Sequence, residues 1–415
     1  MGRALLGGIR RQLCGVPRPL GHGGLPVARQ RHLYDCDPVM GTHARESDGL
    51  VRSPLASPML QPWEIWDQDL FDLEMMRVFG RSWIWLGDTE DLQREGDFIT
   101  GRIGYQSVVV IRQADGSLRG FLNNCRHRAS ALLFEPAGNC GRTLTCPYHN
   151  WAYSNDGTLV GIPDKARMYP DGFPMGDYGL VPIRIHVAWD KLVFACLSHS
   201  APPFREWIGP VVDRYDRYGI DRFKRFHREL DQTYPINWKA FCENSNDDYH
   251  VRFVHRRLNK DRRQLDTQVR YDARTTSGYK PHPDHLDISG GRTDLPESEL
   301  RGHYADFFMP NLTPLPYPTQ LILVRADPIA PDRTRLISRI YGLTDDLDEQ
   351  EAQLTNLEIT NKEDTDMVTV LMGNLRSPFY RVGPPTTWEG RAAHVMKMIR
   401  ENSTLLPSGS RTRQM

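Results

Sequence analysis

Two short segments, Cys125-Arg126-His127 and Cys146-Pro147-Tyr148-His149, each present one thiol and one imidazole, with 18 residues between the pairs. Side chains that converge on metal from two loops need a rigid frame close behind them, and the flanking sequence has the pattern of one. From Asp97 onward, short β runs (SVVVIR, SLRGFLNN, TLTC, WAYS, TLVGI) alternate with turns at Ala114-Asp115-Gly116 and Asn155-Asp156-Gly157. This predicts a small all-β domain over 96–182, with the Pro-, Gly- and Asp-rich stretch from Pro163 to Pro182 leading out of it. Two thiolates and two imidazoles suit a tetrahedral structural zinc. Zinc fingers, however, usually pair Cys with Cys and His with His along the chain, whereas each loop here mixes the two. The mixed order suits a two-iron, two-sulfur centre in which thiolates hold one iron and imidazoles the other.

The rest of the chain bounds what can surround this unit. Its 415 residues are 39% hydrophobic, enough for a sizeable core and for two or three domains. Lys plus Arg (52) equals Asp plus Glu (52), so no net field favours nucleic acid or an acidic membrane. The longest apolar runs, such as Lys191 to Leu197, are strand-sized, well short of the roughly 20 residues of a membrane helix. Seven scattered cysteines argue against a secreted disulfide framework and for a reducing, cytoplasmic setting. Residues 1–50 read as a disordered or N-terminal extension. The six arginines before Asp35 resemble an organelle transit peptide, but no serine precedes Ser47.

Trp63 to Trp85 sets Leu70, Leu73, Met76 and Phe79 at helical spacing, so 51–95 is expected to form a helical segment packed on the larger domain. Residues 183–400 mix strand patterns (RIHVAWDKLVFACL, TQLILVRADPIA, RTRLISRIYGL) with helical ones (NWKAFCENSNDDYH and the charged run from Asp346 to Asn374). They predict a mixed α+β domain with an antiparallel sheet flanked by helices. Asn259 to Arg301 is polar with little periodicity and reads as surface loops near a site, and 401–415 as a flexible tail.

A second cluster of metal-ligand types follows Asn237-Trp238-Lys239. It runs from Glu243 through Asp247, Asp248 and His250 to His255. Two histidines and a carboxylate from elsewhere would make a 2-His-1-carboxylate facial triad, which leaves positions open for O2. Residues five apart on a straight helix point about 140° apart, so both imidazoles reach one ion only where the helix ends or distorts between them. By spacing alone, a surface or core role for the pair is the favoured reading.

Taken together, these motifs resemble a known family. CRHR, CPYH and Trp151-Ala152-Tyr153 are similar to the Rieske domain of aromatic-ring-hydroxylating dioxygenase large (alpha) subunits. NWK…EN…D-x-Y-H-x4-H is similar to the mononuclear iron motif of the same Rieske non-haem iron oxygenase family, in the expected order. The resemblance implies a small all-β Rieske domain and an α+β catalytic domain. It implies that Cys125, His127, Cys146 and His149 hold a [2Fe-2S] cluster and that His250 and His255 hold Fe(II). Glu363-Asp364 looks like the family's late Glu-Asp segment, which makes Asp364 the third iron ligand, with Asp366 as the alternative. The family's usual Gln and Gly farther along are replaced by Met372 and Asn374. Asp247 matches the bridging acid that joins His250 to His149 of the partner subunit, with Asp248 as the alternative one residue on.

Two departures stand in the cluster loops, where Ala129 and Asn150 occupy positions at which the family often has glycine. Asn tolerates a left-handed backbone, whereas Ala is harder to explain there. Respiratory-chain Rieske carriers add a disulfide and a serine after the second histidine. Here Arg128 to Ser130, Tyr148 and Asn150-Trp151 stand in those places, which rules out the disulfide and implies a lower reduction potential.

The function implied is a terminal oxygenase that hydroxylates an aromatic small molecule, supplied with electrons from NAD(P)H through a flavin reductase and/or ferredoxin. The assembly implied is a homotrimer, with a small beta subunit compatible with it. An alternative is oxidation of a quaternary ammonium or other methylated small molecule, suggested by the choline-monooxygenase-like MPNL (Met309 to Leu312), with Phe307, Phe308, Tyr317 and Trp388 as candidate cage aromatics. Alternatives of other classes are a non-catalytic Rieske electron carrier and a zinc-stabilised binding module.

Overall fold

Among the described residues, three antiparallel sheets and three helices of eight residues or more make up the fold. The computed structural model describes residues 58–257, 268–283, 286–377 and 379–403. The expected N-terminal extension and all but the first three residues of the expected tail lie outside the described residues. Residues 401–403 complete the last helix, Gly390–Ser403, rather than beginning a tail.

The first sheet has seven strands in the order Ile84–Asp88, Leu192–Cys196, Pro182–Ala188, Leu118–Leu122, Gln106–Arg112, Asp97–Ile103 and Ala137–Asn139. Next to its central strand lies Gln106–Arg112, where Val108 to Ile111 are all fully buried, so this strand packs on both faces. A three-stranded sheet, Thr143–Thr145, Ala152–Ser154 and Leu159–Gly161, carries the second Cys/His loop. Val109, Ile111, Phe121, Leu144, Trp151 and Tyr153 form the core behind both loops. The seven-stranded sheet reaches beyond 96–182, because Ile84–Asp88 and the hairpin Pro182–Ala188/Leu192–Cys196 complete it. The sequence pattern places the hairpin in the larger domain, but an apolar pattern says nothing about which sheet a strand joins.

The second domain is built on an eight-stranded antiparallel sheet whose longest pair is Gln320–Ala330 and Arg333–Gly342. The helices Trp238–Ser245, Leu347–Asn374 and Gly390–Ser403 flank it. Asn237 caps the first by accepting from the Lys239 N–H, and Asp346 caps the second by accepting from Asp348 and Glu349. The α+β architecture expected from sequence is the one observed. The stretch from Asn259 to Arg301 departs from it. Its described part contains strands Gln268–Tyr271 and Thr275–Pro281, at one edge of the large sheet. Their polar, short runs hide the β pattern.

Trp63 to Trp85 is not one helix. Helix Pro62–Trp66 ends at Asp67, whose side chain caps helix Gln68–Glu74, a π-helical turn follows over Met75–Phe79, and the chain then enters strand Ile84–Asp88. The break and the wide turn rotate the buried stripe onto Phe71, Met75, Val78 and Phe79, leaving Met76 46% exposed. This segment is pinned to the second domain by a fully buried ion pair. Lys239 Nζ lies 2.6 Å and 2.7 Å from the two Glu74 oxygens, and the Trp238 indole N–H donates to the same carboxylate at 3.3 Å.

Removing one member strands the other charge in the core, which costs several kcal/mol, whereas replacing both with apolar residues is close to neutral. Lys239→Met is therefore expected to destabilise the protein by about 3 kcal/mol or more. The double variant Lys239→Met/Glu74→Leu should recover most of that, read as urea midpoints. Equal loss in both variants would refute an ion-pair origin.

Candidate active site

His250 and His255 meet because the chain stops being helical on either side of them. Helix Trp238–Ser245 ends, the turn Asn246 to Tyr249 follows, and His250 starts a single helical turn, Val251–Val254, that His255 terminates at φ −88°, ψ 63°. The long helix Leu347–Asn374 brings Asp364 beneath them. Asp364 Oδ1 stands 3.2 Å from His250 Nε2 and 3.1 Å from His255 Nε2. Three ligands at right angles, each about 2.1 Å from a metal, lie about 3 Å from one another, so these spacings fit one face of an octahedron. Among the described residues, this trio is the one group of three or more His, Cys, Asp or Glu whose ligand atoms all lie within 4.8 Å.

The alternatives separate by position. Asp366 is exposed and paired with Lys362 at 2.7 Å, because two residues along a helix turn a side chain by about 200°. Asp248 is buried against Lys280 (2.8 Å) and Arg391 (3.4 Å). Asp247 Oδ2 lies 3.2 Å from His250 Nδ1. Two residues that sequence reasoning did not assign join them: Glu363 Oε2 lies 2.8 Å from His255 Nδ1, and Asn244 donates to Asp364 Oδ1 at 2.9 Å. Each imidazole thus has one nitrogen tied to a carboxylate while Nε2 faces the shared point, the usual way a metal-binding histidine is oriented. The adjacency of Glu363 and Asp364 was the available signal.

Burial works to lower the His250 imidazole, but Asp247 and Asp364 outweigh it and push it up to about 9. His255 is likewise raised, with Asp364 and Glu363 overcoming burial. Burial tends to raise the Asp364 carboxyl, yet the two imidazoles hold it well below the usual carboxylate range. Three carboxylates facing two imidazoles form an anionic nest that a dication would fit.

In the other constellation, the thiols of Cys125 and Cys146 are buried while His127 and His149 are exposed, their rings 4.6 Å apart. Their ligand atoms do not all lie within 4.8 Å of one another, farther apart than the ligands of one tetrahedral ion stand. Buried thiolates with exposed imidazoles instead suit a two-metal cluster with an inner and an outer iron. Burial raises the Cys125 thiol. It also acts to raise Cys146, but backbone N–H groups of Tyr148 and His149 bring that thiol below its ordinary value. Tyr153 Oη, on a neighbouring strand, lies 3.3 Å from Cys125 Sγ. His127 stacks on Trp151 at 4.9 Å and 6°. Ala129 and Asn150 both adopt left-handed backbone, φ 57° and 54°, so Ala129 accepts a conformation that glycine would take without strain.

The trio opens on a cavity of about 480 Å³ lined by Phe241, Leu315, Ile322 and Val324 together with polar residues. Of the candidate cage aromatics only Tyr317 lines it. Phe307 and Phe308 are in the core and Trp388 lies at the surface beside Tyr249.

Comparison with known proteins identifies two domains. Residues 82–179 match the Rieske [2Fe-2S] domain, and residues 215–404 match the ring hydroxylating alpha subunit catalytic domain. The chain is 30% identical over 275 residues to the N,N-dimethyl phenylurea N-demethylase subunit alpha of Sphingobium sp. (strain YBL2), covering 65% of this chain and 58% of that protein. It is 36% identical over 182 residues to the chlorobenzene dioxygenase subunit alpha of Cupriavidus sp. (strain PS12), covering 43% and 39%. The chain thus spans about half the length of the curated relatives it matches. A crystal structure of a quaternary ammonium Rieske monooxygenase shares the fold, with a TM-score of 0.72 at 20% identity over 83% of this chain and 95% of that one. No helix is long and apolar enough to cross a membrane among the described residues.

Asp364→Asn should lower iron content at the second site by tenfold or more, while Asp366→Asn should leave it unchanged, checked by metal analysis of the purified variants with the cluster's absorption as internal standard. The reverse pattern would move the ligand to Asp366. Nearby, burial pushes the Glu243 carboxyl up to about 7 from its ordinary 4.5, against the Leu60 N–H that it accepts at 2.7 Å. A raised folded-state value means the folded protein binds that proton more tightly, so this carboxyl stabilises the fold at low pH and loses that effect as pH climbs from about 4.5 to 7. Relative to wild type, Glu243→Gln should gain up to about 3 kcal/mol across that window in urea titrations, and parallel curves for the two proteins would refute it.

Proposed function

We propose that this chain, which belongs to the ring-hydroxylating alpha-subunit family of Rieske non-haem iron oxygenases, is a terminal oxygenase that uses O2 to hydroxylate an aromatic small molecule. The observation that carries the reading is the largely buried trio His250, His255 and Asp364 opening on a partly apolar cavity, in a chain that also has the Rieske loops. Cys125, Cys146, His127 and His149 would hold the [2Fe-2S] cluster, and His250, His255 and Asp364 would hold Fe(II). When bound, these groups supply single electrons and the activation of O2.

The chain's own residues do the rest. Asp247 and Glu363 fix the tautomer and tilt of the two imidazoles, and Asn244 holds the Asp364 oxygen in place, so the site is arranged before any metal or substrate arrives. Phe241, Leu315, Ile322 and Val324 give an aromatic ring an apolar bed and keep bulk water from the reacting carbon.

His149 is exposed, and Asp247 already holds His250, so a carboxylate reaching both would link the two metal sites across a subunit boundary. That arrangement calls for a head-to-tail homotrimer in which Asp247 meets His149 of the partner subunit. A ferredoxin and/or flavin reductase drawing on NAD(P)H would feed the cluster, in the cytoplasm, and a small beta subunit is compatible with the ring.

Oxidative demethylation of a methylated small molecule is the second reading, favoured by the similarity to an N-demethylase alpha subunit. A quaternary ammonium substrate has less support, since the cavity offers no aromatic cage among its described residues. A simple electron carrier would have no use for a buried facial trio.

Low-temperature electron paramagnetic resonance of the anaerobically reduced protein with nitric oxide tests the two-site reading. A Rieske signal together with a high-spin iron-nitrosyl signal is the expected outcome, and the second signal should vanish in His255→Ala. A Rieske signal without any iron-nitrosyl in iron-replete wild type would leave only an electron carrier.

A further inference from the structure

The cavity beside the trio lies between two walls, the long helix and the sheet. Gln353, Leu357, Thr360 and Asp364 line it from Leu347–Asn374, at spacings that share one helical face. Gln320, Ile322 and Val324 line it from Gln320–Ala330, every second residue and hence one face of the sheet.

The two rows run in matching directions. Near the trio, Asn361 donates to Ser338 Oγ at 3.0 Å, and Ser338 is the ladder partner of Val324. Thr313, the partner of Val324 on its other side, has its Oγ1 3.4 Å from Ser245 Oγ, at the end of the helix that precedes the ligand turn. At the opposite end Gln320 pairs with Gly342, and Gln350 donates to the Thr344 carbonyl at 3.0 Å. Gln353, one turn along from Gln350, therefore stands at the Gln320 end. Four residues of strand put Gln320 about 13 Å from Val324, and eleven of helix put Gln353 about 16 Å from Asp364. Apolar Ile322 and Leu357 fill the middle.

The end remote from the trio is built of neutral amides. Among the described residues, neither Gln320 Oε1 nor Gln353 Oε1, both buried, has a hydrogen-bond partner. Gln353 Nε2 donates to Glu349 Oε1 at 3.1 Å, and Thr344 Oγ1 donates to the other Glu349 oxygen at 2.8 Å. A carboxylate only accepts, so this bond fixes the way the Gln353 amide faces and leaves its oxygen an acceptor without a donor. Such an acceptor gains from a ligand that brings an N–H. Gln320 has an amide N–H beside its oxygen, which suits a ligand carbonyl. The Asp and Lys side chains that line the described cavity gather at the ligand turn instead: Asp247, Asp248 and Asp364 lie around the histidines, and Lys280 Nζ is 2.8 Å from Asp248. At the amide end an ionised head would exchange hydration for neutral partners, whereas a neutral amide would exchange like for like.

We propose that the substrate is an elongated aryl amide or urea, its N–H given to Gln353 and its carbonyl accepting from Gln320, so that the ring end remote from this head meets the trio. Gln320 and Gln353 set specificity and stand apart from the reacting atoms. The chemistry at the trio rests on the oxygenase reading, but recognition of the head is measurable by binding alone.

The test is calorimetric titration of the full-length, iron-loaded protein with biphenyl-4-carboxamide and biphenyl-4-ylurea, beside methyl biphenyl-4-carboxylate, which lacks the N–H, and biphenyl-4-carboxylate. The amide or the urea should bind about tenfold or more tighter than both comparators. Gln353→Met, which keeps the length of the side chain and loses its amide, should remove that advantage and leave ester affinity unchanged. Gln320→Met should weaken amide and ester alike, because both carry the carbonyl. An unchanged cluster absorption spectrum checks the fold of each variant.

An ester that binds as tightly as the amide and urea, a carboxylate that binds tighter, equal weakening of amide and ester by Gln353→Met, or no binding of either amide or urea would each overturn the proposal. The oxygenase reading fails separately. Protein that prefers the amide but shows no iron-nitrosyl signal sinks that reading alone, and protein with the signal but no such preference sinks only the amide head.

Discussion

One carboxylate within 3.2 Å of two imidazole nitrogens is the constraint around which the catalytic domain is organised. Without a compensating cation, Asp364, Asp247 and Glu363 would crowd negative charge in a partly buried place, and the raised histidines register that tension. Holding such a group together takes rigid supports from three directions. The capped long helix delivers Asp364, the terminated helix at Ser245 frees the turn that carries His250, and the sheet closes the cavity above them. The turn that carries the two histidines is held between these supports, which keeps three ligand atoms together beside the cavity.

The same economy appears farther from the site. Glu74 and Lys239 join the N-terminal helices to the helix that precedes the ligand turn, so the segment before the Rieske domain is a brace for the catalytic one. Their burial is costly unless paired, which makes the contact selective as well as adhesive: a helix docked in another register would leave a naked charge. Arg391, from the last helix, ties Asn246, Asp248 and the sheet in a comparable way. Residues nearly 150 positions apart in the chain thereby share responsibility for the geometry of the ligand turn.

The sequence carried the parts of this architecture that depend on local chemistry. Cys/His order separated two metals from one, and the i, i+5 spacing of His250 and His255 required a helix break that the structure contains. What it could not carry was partnership at a distance. Hairpin 182–196 looks equally apolar in either domain, and only the tertiary fold assigns it to the first sheet. The polar run that includes Lys280 and His282 lacked periodicity because its outward side chains are as polar as a loop's, so the second wall of the cavity went unseen. Glu363 illustrates a further limit: the motif that marks Asp364 as a ligand gives its neighbour no partner, and the contact with His255 Nδ1 is set by the fold.

The edge of the seven-stranded sheet bears on how such a protein could be assembled over time. The chain enters this sheet at Ile84–Asp88 and leaves it at Leu192–Cys196, and these two strands lie side by side, with Ile84 opposite Ala195. Entry and exit therefore sit at neighbouring points, although more than a hundred residues and both cluster loops are threaded between them. Geometrically the redox unit is a cassette: it can be spliced into a host chain at one spot, or exchanged for a homologous unit of different potential, without altering the distance the host must span.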